Sequence, residues 1–267
     1  MIISASRRTD IPAFHGDWLI SQVKAGSIQV SNPRRPSQIR QVSLRRQDVT
    51  AFVFWTKDPR PFLGHLRWLD RQGYPFLLQI TLTGYGCDVE PGLPDKDALP
   101  QVLRQLAAQY GRERIVWRYD PILMSTKYDA AWHNRTFQAL CEQLKEAVSQ
   151  CTFSFMDPYP RIKRWMKESG IETVSPELRL SLARQLFTIS RSCGLPLRAC
   201  CEGADLAEAG IEAASCIDPE RIAQISGQPV AAGRDRGQRP GCHCSPSIDI
   251  GTYGTCGHGC RYCYAAR

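Results

Sequence analysis

Short apolar runs alternate with helical patterns along most of this chain. Strand-like runs fall at Ile2–Ser6, Ala51–Trp55, Phe76–Leu82, Ile115–Tyr119, Thr152–Met156 and Leu195–Cys200. Between them, apolar positions recur at helical spacing: Trp18, Leu19 and Val23; Phe62, Leu66 and Leu69; Leu99, Leu103, Leu106 and Tyr110; Phe137, Leu140, Leu144 and Val148; Leu178, Leu182, Leu186 and Ile189. Ser175 followed by Pro176 marks a helix start, the serine as N-cap and the proline at the first helical position. Strands alternating with helices in this way predict parallel strands joined by right-handed crossovers. The expected fold is therefore α/β: a (β/α) barrel or a partial six-stranded parallel barrel, with an open doubly wound sheet as the other arrangement. A chain of 267 residues, 43% hydrophobic, is long enough to bury one large core.

Polar and ionisable residues collect where each strand run ends, which favours the barrel, because that end is the active-site face of such folds. The six runs lead into Arg7, Arg8 and Asp10; Lys57 and Asp58; Thr83; Asp120, with Arg118 two residues before it; Asp157; and Glu202. Arg7, Asp10, Lys57, Arg118, Asp120 and Glu202 are the candidate catalytic residues. The cations suit carboxylate or phosphate groups, and the acids suit proton transfer or a divalent ion. Helix capping explains Asp10, Asp120 or Asp157 equally well taken singly, and Arg118 and Asp120, sharing a strand face, also read as a structural ion pair.

The periodic pattern stops near residue 226. Residues 226–241 are rich in Gly, Pro and Arg and read as a linker or mobile loop, dividing the chain into an α/β unit over 1–225 and a cysteine-rich segment over 242–267. That segment holds Cys256, Cys260 and Cys263 at C-x3-C-x2-C spacing, with Gly257 and Gly259 permitting a tight turn around an inorganic core. Three thiolates so close in sequence suit one side of a [4Fe–4S] cluster, one iron being left open for chemistry. Zinc is the alternative metal, since His243 and His258 lie in the same segment. Cys242 and Cys244 would supply a fourth ligand or begin a second cluster, with Cys216 and Cys201 as further candidates. Cys141, Cys151 and Cys193 read as packed core thiols, and Cys87 lies in a glycine-rich loop. Folded back over the C-terminal ends of the strands, the segment would bring a cluster to the polar residues gathered there.

Twelve cysteines without a basic and apolar leader pattern at the N-terminus point to a reducing cytosol, where clustered thiols act as metal ligands. No apolar run approaches a membrane span, so no membrane partner is expected. The net charge of +8 admits a polyanionic partner: from Arg221 onward there are six arginines, no lysine and two acids. Either a nucleic-acid or phosphorylated substrate, or the negative charge of ligating thiolates, accounts for that excess. The aromatic residues are scattered, which argues against a dedicated single-strand-binding module.

The sequence carries two resemblances. Ile2 to Pro12, Phe54 to Pro59, Tyr119-Asp120-Pro121 and Asp249 to Ala265 together resemble a bacterial domain family of unknown function, over essentially the whole chain. Cys256 to Ala265 is similar to the cluster motif of radical S-adenosylmethionine enzymes, especially those like spore photoproduct lyase. That resemblance implies a [4Fe–4S] cluster on Cys256, Cys260 and Cys263, S-adenosylmethionine at the open iron, an electron donor, and hydrogen abstraction from an unidentified small-molecule or nucleic-acid substrate by a 5′-deoxyadenosyl radical. Those enzymes carry the triple after their first strand, whereas here it follows the last, an arrangement that a circular permutation relates. Two other functions fit the residues: a divalent-metal hydrolase built on Asp10, Asp120, Asp157 and Glu202 with a zinc staple, and a cluster-bearing nucleic-acid-binding or electron-transfer protein.

Overall fold

The computed structural model describes residues 1–231 and 233–266. All six expected strands form: β1 (Ile2–Ala5), then, after an inserted hairpin of β2 (Ser27–Asn32) and β3 (Arg35–Ser43), β4 (Ala51–Thr56), β5 (Phe76–Thr81), β6 (Ile115–Ile122), β7 (Gln150–Phe155) and β8 (Leu197–Ala199). Two two-residue strands, β9 (Glu212–Ala213) and β10 (Ile248–Asp249), complete an eight-stranded sheet in the order β10-β1-β4-β5-β6-β7-β8-β9. Every pairing in it is parallel. No pairing joins β9 to β10 among the described residues, so the sheet is α/β in class without closing into a barrel through hydrogen bonds.

The five expected helices are α2 (Gly16–Ala25), α3 (Leu63–Arg71), α4 (Leu99–Tyr110), α5 (Ala130–Leu144) and α7 (Pro176–Ser192); shorter ones are α1 (Ile11–Phe14), α6 (Lys163–Glu168), α8 (Ala204–Glu208) and α9 (Pro219–Ser226). Ser175 caps α7 by accepting from the Leu178 amide at 3.3 Å. Asp10 caps α1 by accepting from the Ala13 amide at 2.9 Å.

Alternation along the strands divides the sheet into two chemically different faces. Ile3, Phe52, Phe54, Phe76, Leu78, Trp117, Phe153 and Leu197 pack with Leu19, Leu66, Leu103, Phe137 and Leu186 of the helices in the main core. Cys141 and Cys151 belong to this core and are wholly buried, whereas Cys193 is only half-buried and its thiol faces Glu142. The opposite face begins apolar, with Ile2, Ala51, Val53, Leu77 and Val116 against Ile217 and Ile222. Towards the strand C-termini it turns polar, and Ser4, Gln79, Arg118, Thr152 and Ser154 are all buried. A sheet covered on both faces needs no polar residues for solubility. Those on this face therefore serve each other or a site.

Candidate functional site

The loop carrying the cysteine triple lies against the segments that follow β1, β4 and β5. Two buried carboxylates fasten it there. Asp10 accepts from the Thr56 hydroxyl at 3.0 Å, the Lys57 amide at 2.8 Å and His258 Nε2 at 2.8 Å, so the ring carries its proton on Nε2. His258 is 3% exposed, packs its edge on Phe14 at 4.7 Å between ring centres, and has no partner for Nδ1 among the described residues. Asp10 thus links β1, β4 and the loop, besides capping its own helix.

The second fastening is Glu90, whose side chain is wholly buried. It accepts from Lys57 Nζ at 2.6 Å, from Thr83 Oγ1 at 3.1 Å, from Lys96 Nζ and from the Tyr262 hydroxyl. Burial alone would raise its pKa, but Lys57 and Lys96 outweigh that and hold it at about 2. Lys57 is raised against its own desolvation by Glu90 and by the nearby Cys260 thiol, whereas burial lowers Lys96. Backbone bonds complete the seam: Arg261 N donates to Val89 O at 2.9 Å, and Gly92 N to His258 O at 2.9 Å.

Within this loop Cys260 is buried and Cys256 and Cys263 are half-buried. Each thiol lies within electrostatic reach of the other two. Burial pushes Cys260 up to about 12, against the opposing pull of Lys57, and also raises Cys256. Three thiols carried on one short loop suit a thiophilic cluster by donor chemistry. Among the described residues, however, no three His, Cys, Asp or Glu side chains already stand in ligating geometry around one ion.

The approach of the Cys loop to Gly92 leaves no room for a side chain. A Cβ there would lie 2.6 Å from the His258 carbonyl oxygen and 2.8 Å from that of Gly257, both backbone atoms. Gly92→Ala is expected to cost about 1–3 kcal/mol by overpacking, read as a lower midpoint in urea denaturation.

The other sequence-derived candidates fall into separate networks. Arg118 donates to Asp120 (Nε at 3.1 Å) and lies 2.9 Å, through Nη1, from Cys216 Sγ, so the strand-neighbour ion pair forms. Arg7 lies over Trp55 at 4.8 Å, beside Cys216 and Cys244. Glu202 accepts from the Phe155 amide at 2.8 Å and pairs with Arg179 at 3.4 Å; burial raises its pKa. Asp157 pairs with Arg239, which anchors the Gly/Pro/Arg-rich stretch to the end of β7. Cys242 and Cys244 are buried with Cys216, while His243 between them is exposed. The structure therefore gathers Asp10 and Lys57 with the triple, and Arg7 and Arg118 with Cys216, Cys242 and Cys244.

Glu90, Tyr262 and Asp249 were not candidates from sequence. Asp249 accepts from Ser4 Oγ at 2.9 Å, Ser6 Oγ at 2.6 Å, the Arg7 amide at 2.9 Å and the Gly251 amide at 3.0 Å, joining β10 to β1. Its only sequence signal is its place in the stretch Asp249 to Ala265 that carries the family resemblance.

Fold and site together define an α/β protein whose parallel sheet carries a clamped, thiol-rich loop at the strand C-termini. The chain belongs to the family described as Domain of unknown function (DUF1848), whose profile matches residues 2–265. No curated protein matches the sequence. Among solved structures, the chain is similar to D-hydantoinase from a Bacillus sp. AR9 (10% identity, TM-score 0.35, covering 62% of this chain and 38% of that one). It is also similar to Rhizobium etli pyruvate carboxylase (13% identity, TM-score 0.32, covering 82% and 24%). The chain thus spans well under half the length of these proteins, and the likenesses are too distant to bear on function. Among the described residues no helix is long and apolar enough to cross a membrane.

Proposed function

We propose that this protein binds an iron–sulfur cluster through Cys256, Cys260 and Cys263 and uses it as a radical S-adenosylmethionine-like redox enzyme. The observation that carries the reading is the fastening of the three-thiol loop, by Asp10–His258 and Glu90–Tyr262, over the polar ends of β1, β4 and β5. When bound, a [4Fe–4S] cluster with three cysteine ligands would leave one iron open to S-adenosylmethionine and supply the electron that cleaves its sulfonium. The chain's own part is positional and electrostatic. Asp10 and Glu90 fix the loop, and the Lys57 ammonium, held by Glu90 beside Cys260, works against the burial that raises the pKa of that thiol. Cys256 and Cys263, being half-buried, leave the loop open on one side.

The carboxylates that a divalent-metal hydrolase would use stand in four separate pairings: Asp10 with His258, Asp120 with Arg118, Asp157 with Arg239, and Glu202 with Arg179. The arrangement supports the cluster reading better. Anaerobic purification and reconstitution, with iron and acid-labile sulfide compared between the wild type and the C256A/C260A/C263A variant, tests it first. The expected difference is about four irons and four sulfides per chain. Dithionite and S-adenosylmethionine should then yield 5′-deoxyadenosine from the wild type alone. An unchanged iron content, or zinc alone in anaerobically prepared wild type, would overturn the proposal.

A further inference from the structure

Five further cysteines come together from three distant segments: Cys200 and Cys201 after β8, Cys216 after β9, and Cys242 and Cys244 before β10. Cys200 Sγ lies 3.6 Å from Cys216 Sγ. Cys242 and Cys244 are buried in the same cluster as Cys216, with Cys200 and Cys201 packed against it, and Cys244 Sγ accepts from the Ile217 amide, next to Cys216, at 3.5 Å. Five thiols thus meet in one cluster. The surrounding ionisable groups are dominated by arginine. Arg118 reaches Cys216, Arg239 reaches Cys201, and Arg7 lies beside Cys216 and Cys244 with its buried Nη2 unpartnered among the described residues. Arg118 and Arg239 are already paired with Asp120 and Asp157.

Packing alone does not call for this composition. Cys141 and Cys151 show what a core thiol looks like here, enclosed by aliphatic and aromatic side chains of the main core. The five-thiol cluster instead faces guanidinium groups, which desolvate at a cost unless something anionic accompanies them. Four thiolates around a divalent ion make a dianionic unit, which suits that setting. The 3.6 Å contact also has a natural length for such a unit: metal–sulfur bonds of about 2.3 Å in a tetrahedron put neighbouring sulfurs about 3.75 Å apart.

We infer that Cys200, Cys201, Cys216, Cys242 and Cys244 form a second metal centre, four of the five binding zinc or iron tetrahedrally as thiolates, separate from the Cys256–Cys260–Cys263 loop. Each ligating thiol gives up its proton to solvent on binding, and no electron is transferred. Among the described residues no three side chains already stand in ligating geometry around one ion, so the thiols would converge on it by rotation of cysteine side chains. The centre would tie the end of β8 to the segment that leads into β10, and so anchor the base from which the triple is presented.

The test uses the full chain bearing C256A/C260A/C263A, which leaves the five cysteines intact and removes the other thiol group. Purified anaerobically, it should retain about one tetrahedral zinc per chain, or iron in its place, with metal–sulfur distances near 2.3 Å by X-ray absorption. The edge observed distinguishes zinc from iron, and either supports the centre. Adding C216S and C244S should remove that metal. Because those substitutions could also unfold the chain, a second reading is taken on the triple variant itself: four of the five thiols should resist Ellman's reagent until a chelator is added. A folded triple variant that carries neither metal, or that shows a Cys200–Cys216 disulfide after anaerobic handling, overturns the inference. The metal lost between wild type and triple variant reports separately on the proposed cluster, so the two readings fail independently.

Discussion

Replacing Glu90 with glutamine should destabilise the protein by about 3–5 kcal/mol, the range for breaking a buried ion pair by removing one partner. Lys57 and Lys96 would then face each other without their shared carboxylate, Lys57 being 13% and Lys96 19% exposed at the side chain. The amide still accepts from Tyr262, so lost charge rather than lost shape accounts for the effect. Urea denaturation of the two proteins at neutral pH checks it, and a cost below about 1 kcal/mol, as for an exposed pair, would show that the network is solvent-screened. The pH dependence has a defined sign. A carboxylate depressed from 4.5 in the unfolded chain to about 2 in the fold contributes its full stabilisation above the unfolded value. That contribution, about 3 kcal/mol for a shift of this size, is lost as pH falls from about 4.5 through about 2. Glu90→Gln should therefore flatten the acid limb of the stability curve over that window, which thermal melts between pH 2 and pH 6 would reveal.

Cys260→Ser should abolish assembly of the proposed cluster while leaving the fold nearly intact. Cys260 is the most buried of the three thiols and the one nearest Lys57, and serine keeps its size while offering a hydroxyl that binds iron poorly. The hydroxyl would be buried beside Lys57 and Glu90, where a partner is available, so the stability cost should stay within about 1–2 kcal/mol. Iron and sulfide at the triple should fall by more than tenfold after anaerobic reconstitution, and 5′-deoxyadenosine formation with them. Equal iron in variant and wild type would remove Cys260 from the ligand set. A collapse of the fold would instead be visible in the far-ultraviolet circular dichroism, which is expected to remain unchanged.

The six main strands and five main helices were legible because each buries one face, or two, against a large core, and burial imposes a period on the residues. The β2–β3 hairpin was not. Only Ile28 and Val42 of its strands are buried, facing each other across the ladder, and the rest is largely exposed polar sequence without an apolar period. Strands β9 and β10 are two residues long, too short for any period to show; they exist because neighbouring edges offer unpaired backbone groups.

The candidate site divides in the same way. Spacing within one turn of chain was enough to single out Cys256, Cys260 and Cys263, and position after a strand was enough for Asp10 and Lys57. Glu90 gave no such signal, since its partners Lys57 and Tyr262 lie 33 and 172 residues away and its own loop is irregular. Cys200 read only as the end of a strand run, and Cys216, Cys242 and Cys244 could be attached to either thiol group until the fold separated them.

The sequence by itself determined the α/β class, the order of the main strands and the identity of the cysteine triple, because local periodicity and short-range spacing are properties of neighbouring residues. Only the tertiary structure decided that β10 pairs with β1 at the edge of the sheet, that Asp10 and Glu90 fasten the triple over the strand ends, and that five other thiols meet beside arginines on the sheet face away from the main core. Those contacts join residues tens to hundreds of positions apart. What brings them together is the packing of the whole sheet, which no local stretch of the chain encodes.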